Sequence, residues 1–78
     1  MKINIDDLRK LLIGVFQKSE IPLDITNLKM NDFEEWDSLG NFSLLLAIEE
    51  QYNIKFDLVE MPNINSVTSI LCALEKRA

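Results

Sequence analysis

The 78-residue sequence predicts an all-α fold with three main helices, one short helix and a long first loop. Two observations indicate this class. Apolar residues recur at helical spacing in three separate stretches, and residues that commonly cap helices precede those stretches. The apolar positions are not sustained as heptads, which argues against a coiled coil. A chain of this length forms one domain, residues 1–78, with a small core.

The first helix is predicted over residues 5–18. Asn4 can cap it, and Asp6 and Asp7 lie in its first turn, where negative charge is favoured. Gly14 costs about 1 kcal/mol relative to alanine in a helix interior, and a close contact with another helix would account for it. One apolar stripe runs along the helix: Ile5, Leu8, Leu11, Leu12, Val15 and Phe16.

A connection of residues 19–37 follows, in which Pro22 breaks the helical pattern. A loop this long is unusual in a compact domain, and its apolar residues indicate that it packs across the bundle. These residues are Leu23, Ile25, Leu28, Met30, Phe33 and Trp36, of which Trp36 is interpreted as a loop anchor.

The second helix is predicted from Ser38 to about Tyr52, with Asn53 as its stop. Residues 57–61 are predicted to form one helical turn before Pro62. The second helix has an apolar face of Leu39, Phe42, Leu45, Leu46 and Ile48.

The last helix is predicted over about residues 66–76, capped by Ser66 or Asn65. Lys76 and Arg77 end it with the charge that its dipole favours. Its inward side chains are Val67, Ile70, Leu71 and Leu74.

The composition argues against an enzyme. The chain has no histidine, which removes the commonest general base and metal ligand, and it has no glycine-rich phosphate loop. Its one cysteine, Cys72, excludes an internal disulfide and a cysteine-based zinc site. Because its neighbours are apolar, we expect Cys72 to be a buried, inert thiol.

Acidic residues are concentrated in the middle of the chain. The net charge of the chain is −5. Residues 20–60 hold ten acids and two bases, a net charge of −8, and the other residues carry a net charge of +3. This pattern argues against nucleic acid and anionic membranes as partners and is compatible with basic protein partners. The alternative is an acidic surface that is only solvated and has no partner. No stretch approaches the ~20 apolar residues of a membrane span. The charged N-terminus has no secretory apolar region, so we expect a cytoplasmic protein.

One segment carries the strongest functional signal. Residues 35–42 read Glu-Trp-Asp-Ser-Leu-Gly-Asn-Phe, and the helix that they open ends in the pair Glu49 and Glu50. Taken alone, Ser38 is interpreted as an ordinary helix cap, with Asp37 as the alternative cap.

This segment, the acidity, the helix order and the downstream residues Tyr52, Ile54, Phe56, Ile64 and Val67 together resemble the acyl carrier protein family. The resemblance covers the whole chain. The Trp-Asp-Ser-Leu-Gly-x-Phe form is similar to stand-alone carriers of secondary metabolism or surface-polymer pathways. The resemblance implies an acyl-carrier-like four-helix bundle with 4′-phosphopantetheine attached to Ser38, flanked by Asp37 and Leu39. Acyl groups would be held on the arm as thioesters.

The resemblance also implies partners: a phosphopantetheinyl transferase, and acyl-loading and acyl-transferring enzymes with basic docking patches. A monomer is expected. Gly40 and Ser43 stand where fatty-acid carriers usually have acids. The implied docking residues are Asp37, Leu39, Phe42, Leu46, Ala47, Glu49 and Glu50. Two alternatives remain open, namely an aminoacyl or peptidyl carrier of the same fold and a helical interaction module without a prosthetic group.

Overall fold

Three α-helices follow one another in the computed structural model, which describes residues 4–77. The first, α1, spans Ile5–Val15. Asn4 caps it as predicted, and its side-chain oxygen accepts from the Asp6 N–H at 2.9 Å. The helix ends three residues before the predicted residue 18, because Phe16 has a non-helical backbone conformation, with φ of −108° and ψ of 65°. The Lys18 N–H then donates to the Glu35 carboxylate at 2.9 Å. The helical class is thus confirmed, and no strand occurs across residues 4–77.

The second helix, α2, spans Ser38–Tyr52 and has the predicted bounds. Asn53 ends it in the left-handed conformation, with φ of 54°. The predicted apolar face is wrong in part, since Leu39, Phe42 and Leu46 are exposed. The buried face consists of Asn41, Leu44, Leu45 and Ile48.

The predicted helical turn at residues 57–61 is replaced by a turn and a short 3₁₀ helix at Met61–Asn63. The helical part therefore lies further along the chain than predicted and includes Pro62. Proline fits there because a first-turn residue needs no intrahelical N–H donor. The fourth helix of the predicted bundle is thus not an α-helix in the described chain.

The last helix, α3, spans Val67–Lys76 and is capped by Ser66, one of the two predicted residues. The Ser66 hydroxyl accepts from the Ser69 N–H at 3.1 Å, and the Ser69 hydroxyl accepts from the Ser66 N–H at 2.9 Å. This reciprocal capping fixes the start of α3.

The long loop packs across the helices as predicted. Its backbone pairs with the start of α3, where the Met30 N–H donates to the Asn65 carbonyl at 2.7 Å. Ile25 and Trp36 are buried from this loop, whereas Leu23 is exposed, contrary to the prediction. One cluster of buried apolar residues joins the loop to all three helices: Leu8, Leu12, Phe16, Ile25, Trp36, Leu44, Leu45, Ile48, Phe56, Met61, Ile64, Val67, Ile70, Ala73 and Leu74.

Two further predictions are wrong. Cys72 is exposed, because the buried face of α3 passes through Ile70, Ala73 and Leu74 and leaves residue 72 on the other side. Gly14 has no close helix contact, since a Cβ added there would meet nothing within 4 Å. No helix in residues 4–77 is long and apolar enough to cross a membrane.

Candidate functional site

Ser38 is the first residue of α2 and lies exposed at the surface. It is not the helix cap, because the Asp37 side chain holds that position and accepts from the Gly40 N–H at 2.8 Å. No hydrogen bond among the described residues involves the Ser38 hydroxyl, so capping does not occupy this oxygen.

Gly40 is required by a close approach of the loop to the first turn of α2. A Cβ at this position would lie 1.9 Å from the Glu35 carbonyl oxygen and 3.2 Å from Cε1 of Phe16. The Glu35 backbone is held there by its own carboxylate, which accepts from the Lys18 N–H at 2.9 Å and the Ser19 hydroxyl at 2.6 Å. Because no side chain fits at residue 40 while the Glu35 backbone stays in place, this position cannot carry an acid.

Trp36 anchors the loop beside Ser38, as predicted. Its ring is fully buried and stacks on Phe16 with centroids 5.5 Å apart. Its Nε1–H donates to Oδ1 of Asn41 at 2.9 Å, and the Asn41 amide donates to the Ile64 carbonyl at 3.0 Å. Asn41 therefore links the loop, α2 and the chain before α3, and sequence reasoning missed it. Its signal in the sequence is an amide one helical turn after Ser38, and only the structure shows that this position faces the core.

An apolar groove of about 390 Å³ adjoins Ser38. Ser38 and Asn41 are the residues with polar side chains in its lining. Sequence reasoning did not predict the groove, because its walls come from the loop, α2 and the 3₁₀ region. The remaining lining residues are Met30, Phe42, Leu45, Leu58, Met61 and Pro62.

The predicted docking residues divide into two groups. The side chains of Leu39, Phe42 and Leu46 form an exposed apolar stripe along α2, and Asp37 and Glu50 are exposed acids near its two ends. Leu39 is 74% exposed and does not line the groove, although it was expected beside the prosthetic group.

The other two predicted docking residues, Ala47 and Glu49, are half-buried. The Glu49 carboxylate accepts from the Phe56 N–H at 2.7 Å, so one of its oxygens holds the fold.

Three groups of the described chain, all outside this site, have shifted pKa values. Hydrogen bonds from Thr26 lower the pKa of Asp24, and the Lys29 N–H lowers the pKa of Asp32. Burial, followed by the nearby Asp7 carboxylate, raises the pKa of Tyr52, whose buried hydroxyl has no hydrogen-bond partner in residues 4–77.

Comparisons of the chain with known protein families, with curated proteins and with solved structures found no match. Within the described chain, no cluster of three or more His, Cys, Asp or Glu residues could hold a metal ion. A function for this chain is therefore inferred from the geometry around Ser38 and from the sequence motif.

Proposed function

We propose that this chain is an acyl carrier protein that carries 4′-phosphopantetheine on Ser38. The observation that supports this most strongly is the state of Ser38. Its hydroxyl is exposed and uncommitted at the start of α2, it borders an apolar groove, and Asp37 performs the capping. A serine kept only as a cap would use its own oxygen for that purpose.

The residues around Ser38 fit the proposed group. A phosphodiester on the Ser38 oxygen would lie at the positive end of α2, where backbone N–H groups favour an anion. The groove of about 390 Å³ offers the arm and its cargo an apolar wall. When attached, the arm supplies a thiol that holds the acyl group as a thioester. The apolar lining favours an acyl cargo over an aminoacyl cargo, whose charged amine would lose its hydration there.

In this proposal the chain is a carrier and not an enzyme. Ser38 has no base within hydrogen-bond distance among the described residues, so a separate phosphopantetheinyl transferase would activate it, with coenzyme A and Mg²⁺. The 3₁₀ helix at Met61–Asn63 would take the place of the short fourth helix in an acyl-carrier-like bundle.

The proposed docking surface is apolar in the middle and acidic at its ends. Leu39, Phe42 and Leu46 form the stripe, and Asp37 and Glu50 are the exposed acids. A suitable partner therefore presents an apolar patch bordered by basic residues. The crowding at Gly40 leaves the first turn of α2 without an acid of its own, which distinguishes this surface from that of a fatty-acid carrier.

The experiment is intact-mass analysis after incubation with coenzyme A, Mg²⁺ and a permissive transferase. We expect one phosphopantetheine per chain, localised to Ser38. Ser38→Ala should abolish loading while the protein stays folded, because Asp37 keeps the cap. Ser43→Ala is the matched control, since Ser43 is an exposed serine on the same helix.

Loading of the Ser38→Ala protein would refute the attachment site. If several transferases leave the wild type unmodified, the chain is an interaction module without a prosthetic group. Ligase assays that load amino acids and not acyl groups would show the aminoacyl carrier instead.

A further inference from the structure

Residues 54–60 form one wall of the groove through Leu58, yet they contain only a turn and no regular helix or strand. The tip of this segment is exposed, with Leu58 at 76% and Val59 at 88% exposure. Such a segment keeps a defined position only where other parts of the protein hold its backbone.

Two charged side chains hold this backbone, one from α2 and one from the residue that follows α3. Glu49 of α2 accepts from the Phe56 N–H at 2.7 Å. Arg77, just after α3, donates from Nε to the Lys55 carbonyl at 3.1 Å and also pairs with the Glu60 carboxylate. The segment is thus held on both sides of its exposed tip.

Arg77 is itself held in place by further contacts. Its Nη1 donates to the Ala73 carbonyl at 3.0 Å, and its Cζ lies 4.8 Å from the centre of the Phe56 ring. A planar guanidinium can make all these contacts at once, whereas a lysine ammonium cannot. This arrangement is therefore more specific than an exposed ion pair.

We propose that Glu49 and Arg77 are positioning residues that set the width of the groove. By fixing residues 54–60, they keep Leu58 in place as the wall that covers an acyl group attached through Ser38. The inference rests on the proposed function, because only an acyl group attached through Ser38 would give this wall something to cover. It gives Glu49 a role different from partner docking and gives a role to Arg77, which the carrier motif does not include.

The test compares a short and a long cargo. Acetyl- and octanoyl-phosphopantetheine are loaded onto Ser38 from the two acyl coenzymes A and then exposed to hydroxylamine, which attacks the thioester carbonyl and releases the arm thiol. Arg77→Gln should speed cleavage of the octanoyl thioester about tenfold, as expected for loss of a charged hydrogen bond that closes the wall. Cleavage of the acetyl thioester should not change, because the acetyl group has no chain for Leu58 to cover.

The neighbouring residues supply matched controls. Lys76→Gln makes the same charge change as Arg77→Gln at an exposed position next to it. Glu49→Ala should also speed cleavage of the octanoyl thioester, and Glu75→Ala, at an exposed acid of α3 outside the docking surface, is its control. Both controls should behave as the wild type. An equal acceleration in Lys76→Gln, or of both cargoes in Arg77→Gln, would overturn the inference, because net charge or general loosening would then explain it.

Two further measurements keep the test decisive. If Arg77→Gln does not fold, Glu60→Gln removes the ion pair alone and should show the same dependence on cargo length. If the wild type accepts no arm, the proposed function fails, and amide exchange on the unmodified chain decides the positioning role. Glu49→Ala and Arg77→Gln should then speed exchange at Phe56 but not at Leu45, and an unchanged rate at Phe56 would refute the role.

Discussion

The two glycines of the chain lie inside helices but should respond oppositely to a methyl group. At Gly14, in α1, an added Cβ meets nothing within 4 Å. Gly14→Ala should therefore stabilise the protein by about 0.5–1 kcal/mol, the usual difference between glycine and alanine in a helix.

At Gly40, in α2, the added Cβ would lie 1.9 Å from the Glu35 carbonyl oxygen, far inside any normal contact. The Glu35 backbone would have to move by more than an ångström, against the hydrogen bonds from Lys18 and Ser19. Overpacking of this kind costs about 1–3 kcal/mol, which exceeds the gain in helix propensity. We expect Gly40→Ala to be less stable than Gly14→Ala by about 1–3 kcal/mol, the overpacking cost, because the gain in helix propensity is common to both variants.

Urea unfolding followed by the fluorescence of the buried Trp36 measures both variants in one assay. The same displacement of the loop should also slow loading of Ser38 in Gly40→Ala but not in Gly14→Ala. If Gly40→Ala gained as much stability as Gly14→Ala, the close approach of Glu35 would be refuted.

Three other changes test separate features. Asp37→Ala should lower the free energy of unfolding by about 1 kcal/mol, because Asp37 caps α2. Ser38→Ala should change it by less than about 0.5 kcal/mol, because Ser38 does not cap the helix. Equal losses of stability in urea melts of the two variants would contradict this. Tyr52→Phe removes a buried hydroxyl without a partner and should raise stability by up to about 1 kcal/mol; a clear loss would mean that the hydroxyl is bonded. Glu50→Lys should raise the KM of the transferase for this protein at low salt, and added salt should reduce the difference in KM from the wild type. A KM that changes neither with the substitution nor with salt would indicate purely apolar docking.

Local patterns were sufficient to predict most of the helix ends. Asn4 and Asn53 cap or stop their helices as expected, and Ser66, one of the two predicted caps, begins α3. Each acts on backbone groups within a few residues. The start of α1 and both ends of α2 were predicted for this reason. The end of α1 was not, because the chain after Phe16 is held by Glu35, which lies far along the chain and accepts from the Lys18 N–H.

The sequence alone could not show which side of α2 is buried. This helix is apolar on nearly all sides, so helical spacing does not separate Leu45, which is buried, from Leu46, which is exposed. The sequence pointed to Ser38 as the candidate site through its motif, but it left open whether Ser38 or Asp37 is the cap.

Only the tertiary structure decided what surrounds Ser38. The groove, the contact at Gly40 and the link through Asn41 each join residues from separate parts of the chain. Arg77 likewise reaches back to residues 55 and 60. Periodicity and caps describe interactions within one helix, whereas these contacts exist only once the loop and α3 have packed against α2.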